Sequence, residues 1–256
     1  MIMASSVLHS LDLPEEVQEH LEKIRAQIHQ DWSSVVDGLV LFGSAARGDF
    51  VAGRSNINLL VVVRSLTVDF MQGIGQLHRQ WGKHQIVAPL VMTKDDLVRS
   101  SRLFPLEFLQ MSHNHVVLDG KDPFGEFSLD TVRLGCQCEQ ELMANLLRLR
   151  QRFIEGEARI EAIQALLLLS ITAVLPCIRG LLHGLGQPSN GKDVEILEAL
   201  PGTVQFDPTI FLEILSIKRG LSSPGSLEWL KVYDRYLQNL ENFLKHVEQI
   251  REERRL

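Results

Sequence analysis

The sequence predicts a small α/β (α+β) domain with a mixed sheet over residues 1–125, followed by an all-α helical bundle over residues 126–256. Two observations lead to this prediction. The first part alternates amphipathic helical segments with short apolar runs, whereas the second repeats apolar residues at spacings of three and four. A turn-rich connection at residues 119–125 separates the two patterns and marks the domain boundary.

The first domain begins with a predicted helix at residues 14–30, where Val17, Leu21, Ile24 and Ile28 follow at spacings of 4, 3 and 4. Strands are predicted at residues 38–42, 57–63, 85–92 and 115–118, and further helices at residues 68–81, after Thr93 and at residues 104–111. Pro89 favours an edge position or a bulge for the third strand, because proline cannot donate to a strand ladder.

The second domain is predicted to contain about five helices. Their ranges are 134–154, 157–185, 193–200, 209–219 and 226–253. The second of these is apolar on most sides, which predicts the central helix of the bundle. Its most apolar stretch, residues 162–178, spans 17 residues and falls short of the roughly 20 that a membrane crossing requires. We therefore expect a buried core helix and no membrane partner.

Composition excludes several classes of protein. Hydrophobic residues make up 45% and charged residues 23% of the 256 residues, which is typical of a globular chain. The net charge is −6 and neither half is basic, so non-specific nucleic-acid binding is not expected. The three cysteines form no disulfide framework, and the N-terminus carries no signal-peptide pattern. The sequence therefore predicts a cytoplasmic protein with reduced thiols.

The most informative motif lies between the first two predicted strands. The first strand ends in Gly43-Ser44, and a short helical turn follows. The second strand opens with Asn56-Ile57-Asn58, with eleven residues between Ser44 and Asn56. Residues two apart on a strand point to the same side, so Asn56 and Asn58 are predicted to face one cleft.

This arrangement resembles the signature of the DNA polymerase β-like nucleotidyltransferase superfamily: Gly-Ser, about ten residues, then Asp-x-Asp at the head of the next strand. Residues 55–61, Ser-Asn-Ile-Asn-Leu-Leu-Val, resemble the family's Ser-Asp-Ile-Asp-Leu-Leu-Val with both aspartates replaced by asparagine. An α/β domain followed by a helical bundle is also similar to the aminoglycoside and kanamycin nucleotidyltransferase type, whose helical domain helps to shape the acceptor site.

The resemblance implies roles for five residues. Gly43, Ser44 and Arg47 would bind the phosphates of a nucleotide, through close backbone approach, a hydroxyl and a charged donor. Asn56 and Asn58 hold the catalytic positions in degenerate form. The family's aspartates there bind two Mg²⁺ ions, which align the attacking hydroxyl and neutralise the α-phosphate.

A carboxylate that could replace the lost aspartates is not obvious in the sequence. The family places a third acid on a later strand, but residues 85–92 contain none. Asp95 and Asp96 fall in the next predicted helix. Asp49 and Asp69 are possible substitutes, although neither falls on a strand that faces the cleft. The sequence therefore predicts no metal site, and Mg²⁺ would be a cofactor only if the chain were active.

Three functions remain open. The first is a catalytically impaired nucleotidyltransferase-like protein that binds a nucleotide or small ligand in the cleft between the Gly-Ser turn and the bundle. The second is an active Mg²⁺-dependent enzyme that moves a nucleoside monophosphate from a nucleoside triphosphate to a small hydroxylated acceptor. The third is an antitoxin-like or scaffold protein. A protein partner or a homo-oligomer is compatible with each of them.

Two further patterns have both a functional and a structural interpretation. His113-x-His115 would place two imidazoles on one side of a strand as a zinc pair, or form an ordinary surface pair without a third ligand. Arg179 and His183 approach the Arg–His spacing of helical HEPN ribonucleases, but the spacing of three is shorter than theirs. The structural interpretation is favoured for both patterns.

Overall fold

The structure is a computed structural model that describes residues 8, 11–48, 50, 52–53, 55–82, 85–125, 127–200, 207–222 and 228–254. The chain folds into two compact units. Unit 1 comprises Met1–Leu103 and Phe108–Ser128, and unit 2 comprises Phe104–Glu107 and Leu129–Leu256. The sequence pattern did not indicate that residues 104–107 belong to the helical unit. Asp49 and the start of the last predicted helix, residues 226–227, lie outside the described residues.

Unit 1 is built on a four-stranded mixed sheet in the order β3-β2-β1-β4. The strands are β1 (Val36–Phe42), β2 (Asn58–Val63), β3 (Leu90–Thr93) and β4 (His115–Gly120). β1 pairs antiparallel with both β2 and β4, whereas β2 and β3 run parallel. The predicted mixed sheet is confirmed, and the third strand lies at the edge that its proline favours.

The third strand is shorter than predicted. The ladder with β2 covers only Leu90–Thr93, and the chain before it contacts β2 through an isolated bridge between Ile57 and Ile86. Pro89 directly precedes the ladder and has no N–H to donate, which explains why regular pairing starts after it. Residues 85–88 therefore follow β2 without forming a strand.

The helices of this part of the chain match their predicted positions. They are α1 (Glu15–Trp32), α2 (Ser44–Arg47), α3 (Val68–Trp81), α4 (Lys94–Leu103) and α5 (Pro105–His113). One face of the sheet forms the core with residues of α1 and α3. Its members include Leu21, Ile24, Leu39, Leu41, Leu59, Val61, Phe70 and Ile74. Side chains alternate along a strand, so the neighbouring residues of β1 and β2 point to the opposite face.

Two ends of the sheet can be distinguished by the pairing register. At the first, Phe42 pairs with Asn58 on one side and with His115 on the other. We refer to it as the motif end. At the opposite end, Val63 pairs with Thr93 and Gly38 pairs with Gly120. We refer to that as the far end.

Unit 2 contains five helices after residue 129 in the described chain, as predicted. They are α6 (Thr131–Glu155), α7 (Ile160–Gly184), α8 (Asp193–Ala199), α9 (Thr209–Lys218) and α10 (Trp229–Arg254). α7 is the central helix, with contacts to all four others. It begins later than the sequence predicted, because Glu157 and Ala158 adopt positive φ angles of 50° and 56° in the preceding turn.

The whole of α7 is longer than the 17-residue apolar stretch within it, although it is shorter than the predicted helix at residues 157–185. With 25 residues and a hydropathy of 2.1 over its most apolar window, it is the one described helix long and apolar enough to cross a membrane. Within the unit, 61% of that window is buried. This burial against neighbouring helices is what a core helix requires.

Candidate functional site

The Gly43-Ser44 turn leaves β1 at the motif end. Gly43 has φ 83° and ψ −149°, a conformation that is accessible almost only to glycine. Its carbonyl accepts the N–H groups of Ala46 and Arg47 at 3.1 and 3.0 Å, which closes the short helix α2. Its own N–H donates to the carbonyl of Asn114 at 3.2 Å. The turn is therefore fixed to β1 and to the chain that leads into β4.

Asn58 is the side chain that the structure brings next to this turn. A Cβ placed on Gly43 would lie 3.1 Å from Asn58 Nδ2, which is closer than a side chain normally tolerates. Asn56 is exposed and Asn58 is half-buried, while Ile57 between them is fully buried. This alternation places the two asparagines on the same side, opposite the core face. Gly43 and Asn58, which belong to the same sequence motif, are thus neighbours in the structure.

Ser44 and Arg47 occupy the first and last positions of α2, and both are half-buried. Gly48 ends the turn with φ 80° and donates its N–H to the carbonyl of Ser44. The first N–H groups of a helical turn have no acceptor within the turn, and in α2 these are the N–H groups of Ser44 and Ala45. Hydroxyl, backbone N–H and guanidinium donors therefore belong to one turn of five residues.

The acids considered as replacements lie elsewhere. Asp69 lies in the first turn of α3, which follows the end of β2, and Asp95 and Asp96 lie in the first turn of α4, which follows the end of β3. Both helices start at the far end of the sheet. Asp96 accepts hydrogen bonds there from the hydroxyl and N–H of Thr93, which lower the pKa of its carboxyl. These acids therefore lie at the far end of the sheet and not beside Asn58.

The described residues of the motif end do not provide the ligands of a two-ion Mg²⁺ centre. Residues 87–89 run alongside β2 next to Asn58, and these residues, Val, Ala and Pro, include no acid. No three His, Cys, Asp or Glu side chains among the described residues gather into a metal-binding group. Two dications about 4 Å apart repel by roughly 15 kcal/mol at an effective dielectric of ~20, and anionic ligands must offset this. The neutral amides of Asn56 and Asn58 cannot.

The two histidines do not form a pair on one strand, as that interpretation of the sequence had required. His113 is the last residue of α5, whereas His115 is the first of β4. His115 is committed to neighbours instead: Nδ1 lies 2.9 Å from the carbonyl of Ser112, and Nε2 lies 3.1 Å from Asp122 Oδ1. His115 also packs against Phe124, with ring centroids 4.9 Å apart.

Neither a protein-family model nor a curated protein matches the sequence. Among solved structures, the chain is similar to a spectinomycin adenyltransferase from Enterococcus faecialis, determined with ATP and spectinomycin. The identity is 14%, the TM-score is 0.49, and the match covers 89% of this chain and 98% of the other. A likeness of this degree does not extend to activity or ligands.

In unit 2, the Arg179–His183 pattern has a structural explanation. Arg179 is 2% exposed and donates to the carbonyls of Ser189 and Gly191 and to Asp193 Oδ1, at 3.0, 2.7 and 2.7 Å. These bonds hold the loop between α7 and α8. His183 is partly buried, and desolvation lowers the pKa of its imidazole. Because the guanidinium is buried and three of its five N–H donors are used within the unit, it is not presented to a nucleic-acid phosphate.

The contact between His115 and Asp122 is the feature of the motif end that sequence reasoning missed. His115 pairs directly with Phe42, which makes it a neighbour of the Gly43-Ser44 turn. The signal that was available is the turn-forming sequence after β4, where Asp122 also accepts the N–H of Phe124 at 2.8 Å. That signal marks a turn but does not reveal that the turn reaches His115.

Proposed function

We propose that this chain is a nucleotidyltransferase-like protein that binds the phosphates of a nucleotide at the Gly43-Ser44 turn and has lost efficient metal-dependent transfer. The observation that carries the proposal is the contact between position 43 and Asn58. The backbone that would present a triphosphate stands directly beside an uncharged amide, at the position where the resembling family has a metal-binding aspartate.

Phosphate binding rests on the turn itself. Gly43 has no side chain, so a phosphate oxygen can approach the backbone closely. Ser44 supplies a hydroxyl next to it, and Arg47 adds a cation in the same turn. Because these donors need no metal ion to act, nucleotide binding does not depend on Mg²⁺ in this proposal.

Impaired transfer rests on charge. An amide oxygen can coordinate a hard cation, but a neutral ligand does not compensate two neighbouring dications. Among the described residues, the acids Asp69, Asp95 and Asp96 all follow strands at the far end. We therefore expect the bound nucleotide to remain intact.

A protein that binds a nucleotide without consuming it acts as a sensor or binding module. We expect such a module in the cytoplasm, with a protein partner or a second copy of itself as the recipient of the signal. A membrane or nucleic-acid partner is not part of the proposal, in keeping with the net charge of −6.

The test is calorimetric titration of the protein with ATP and with GTP, in EDTA and in Mg²⁺, combined with an assay for released pyrophosphate. We expect binding of similar strength in both buffers and no pyrophosphate above background. Metal-dependent pyrophosphate release that disappears in Asn58→Ala would establish the active transferase instead. Absence of any nucleotide binding would favour the scaffold function.

Two serine variants sharpen the test. Ser44→Ala removes the hydroxyl from the turn and is expected to weaken nucleotide binding about tenfold to a hundredfold, the value of one hydrogen bond to a charged group. Ser65→Ala makes the same chemical change at an exposed position beyond the end of β2 and should leave the affinity unchanged. Equal effects of both variants would contradict a phosphate site at the turn.

A further inference from the structure

We infer that unit 1 carries a second, separate binding site at the far end of the sheet, which takes a small organic anion with an apolar body. A cavity of about 550 Å³ opens there. Its lining combines an apolar wall with lysine and aspartate side chains: Asp37, Val62, Lys94, Leu97, Val98, Lys121, Asp122, Pro123, Gly125 and Phe127. Small-molecule sites in proteins commonly span a few hundred Å³ and combine these features.

One wall of the cavity is built by a close approach of two backbones. Gly120 has φ 76°, and a Cβ there would lie 2.2 Å from the carbonyl oxygen of Asp37. A Cβ on Gly38 would lie 2.7 Å from the carbonyl oxygen of Lys121. The N–H of Lys121 then donates to the carbonyl of Asp37 at 2.9 Å. Only glycine permits this contact, so Asp37 and Lys121 are held at the cavity by the backbone.

The opposite wall is a single face of α4. Lys94, Leu97 and Val98 have the spacing of three and four that places residues on one side of a helix. A capping box fixes the start of that helix, since Asp96 accepts from the N–H of Thr93 and Thr93 Oγ1 accepts from the N–H of Asp96. Val62 of β2 contributes a buried apolar surface, and Val98 is 51% exposed. The apolar contact area is thus preformed.

The charges at the cavity favour an anion. Asp37 is compensated by Arg64 at 2.8 Å, with Lys94 at 3.9 Å as a second neighbour. Asp122 Oδ1 lies 3.1 Å from His115 Nε2 and accepts the N–H of Phe124 at 2.8 Å. Among the described residues, no side chain forms an ion pair with the Lys121 ammonium. The backbone of Lys121 is held by its hydrogen bond to Asp37. A carboxylate, sulfonate or phosphate would provide that partner while its apolar body lies against Val98 and Phe127.

This site is distinct from the Gly43-Ser44 turn. Val62 follows Asn58 by four residues on β2, a separation of about 13 Å along an extended strand. The two sites have no lining residue in common. Binding at one can therefore be abolished without removing the other, and the inference stands or falls independently of the proposed function.

The test uses two fluorescent probes that share one ring system. 1-Anilinonaphthalene-8-sulfonate carries an anionic group, whereas N-phenyl-1-naphthylamine lacks it. Titration of the full chain should give saturable binding of the sulfonate with one probe per chain, at least about tenfold tighter than that of the neutral probe. Equal affinity for the two probes, or binding that does not saturate, would overturn the inference.

Three variants assign the binding to the cavity. Val98→Trp adds bulk to the apolar wall of the cavity and should weaken the binding of both probes, while Lys121→Gln should weaken the sulfonate about tenfold and leave the neutral probe unchanged. Lys245→Gln removes an exposed lysine of α10 and serves as the matched control. Circular dichroism checks the fold of each variant. If Val98→Trp does not fold, the exposed Lys121→Gln decides alone, and unaltered sulfonate binding in that variant would contradict the assignment.

ATP titrations of the same variants separate this inference from the proposed function. Lys121→Gln and Val98→Trp should retain the nucleotide affinity of the unmodified chain, because neither residue belongs to the motif end. If ATP does not bind at all but the sulfonate result holds, the cavity is a site and the nucleotide proposal fails. If ATP binds and the sulfonate does not, the reverse is true.

Discussion

The two ends of the four-stranded sheet differ in what their glycines achieve. At the motif end, Gly43 opens the backbone beside Asn58, and the described side chains around it include two amides but no compensating acid cluster. At the far end, Gly38 and Gly120 bring together segments that carry Asp37 and Lys121, and a cavity opens beside them. The motif end combines its backbone shape with uncharged amides at positions 56 and 58, whereas the far end combines its shape with charged side chains.

This difference teaches that backbone geometry and side-chain chemistry are set by separate parts of the sequence. A positive φ at Gly43 and the pairing of Phe42 with Asn58 depend on glycine and on strand register. Replacing a carboxylate oxygen by an amide nitrogen changes neither. In the proposed function, the backbone of the motif end keeps its geometry while neutral amides stand where metal catalysis would require charge.

The largest effect is expected from Gly43→Ala. The native φ and ψ fall in a region that is nearly exclusive to glycine, so the substitution should cost about 1–3 kcal/mol of folding stability. The contact of the new Cβ with Asn58 Nδ2 at 3.1 Å is a smaller effect, because an amide at the end of a side chain can move. The displaced turn should no longer bind nucleotide. Urea denaturation and ATP titration measure the two consequences.

Gly48→Ala is the control for that experiment. Gly48 also has a positive φ, 80°, but nothing lies within 4 Å of the added Cβ. Its conformation is the ordinary left-handed one, where alanine costs about 1 kcal/mol. We expect a modest loss of stability and retained ATP binding. If both variants bind ATP equally well, the Gly43 backbone is not the phosphate site. The difference between the two ends of the sheet would then be structural and not functional.

An intermediate effect is expected when charge is returned to the motif end. The double variant Asn56→Asp, Asn58→Asp restores two carboxylates on one side of β2 and should bind Mg²⁺ or Mn²⁺ at least about tenfold more tightly than the unmodified chain. Calorimetric titration with Mn²⁺ measures the gain. Asn239→Asp makes the same chemical change at a half-buried position of α10 and should leave metal binding unaltered. Unchanged metal affinity in the double variant would mean that the positions do not face a common site.

The sequence predicted most of the fold because its signals were local. The helix at residues 68–81 was predicted with the bounds that the structure has, since Thr67 caps its start and the apolar positions repeat at helical spacing. The edge strand was overextended, because the alternation of residues 85–88 resembles a strand although Pro89 interrupts the ladder. The helix after Thr93 was predicted from its cap, and the capping box is present.

Features that depend on distant residues could not be predicted. The proximity of Gly43 and Asn58 could be anticipated, because the resemblance to the nucleotidyltransferase signature placed both positions in one motif. The contact of His115 with Asp122 and the cavity at the far end had no such guide, since the cavity joins residues from β1, β2, α4 and the chain after β4. No periodicity or short motif reports a packing arrangement of four segments. The missed site was therefore the one that consists entirely of tertiary contacts.

The smallest effect is expected at the start of α4, which forms one wall of the far-end cavity. Hydrogen bonds from Thr93 lower the pKa of Asp96 below its ordinary value of 3.8. A carboxyl with a lowered pKa in the folded state stabilises the protein above the unfolded value, and this contribution disappears as the pH falls through the folded value. Asp96→Asn should therefore lower the urea midpoint slightly at pH 7 but not at a pH well below 3.8. Asp95→Asn makes the same chemical change in the same helical turn, away from the hydrogen bonds with Thr93, and serves as the control. An NMR titration in which Asp96 has a pKa at or above 3.8 would contradict the claim that the capping box stabilises the start of α4.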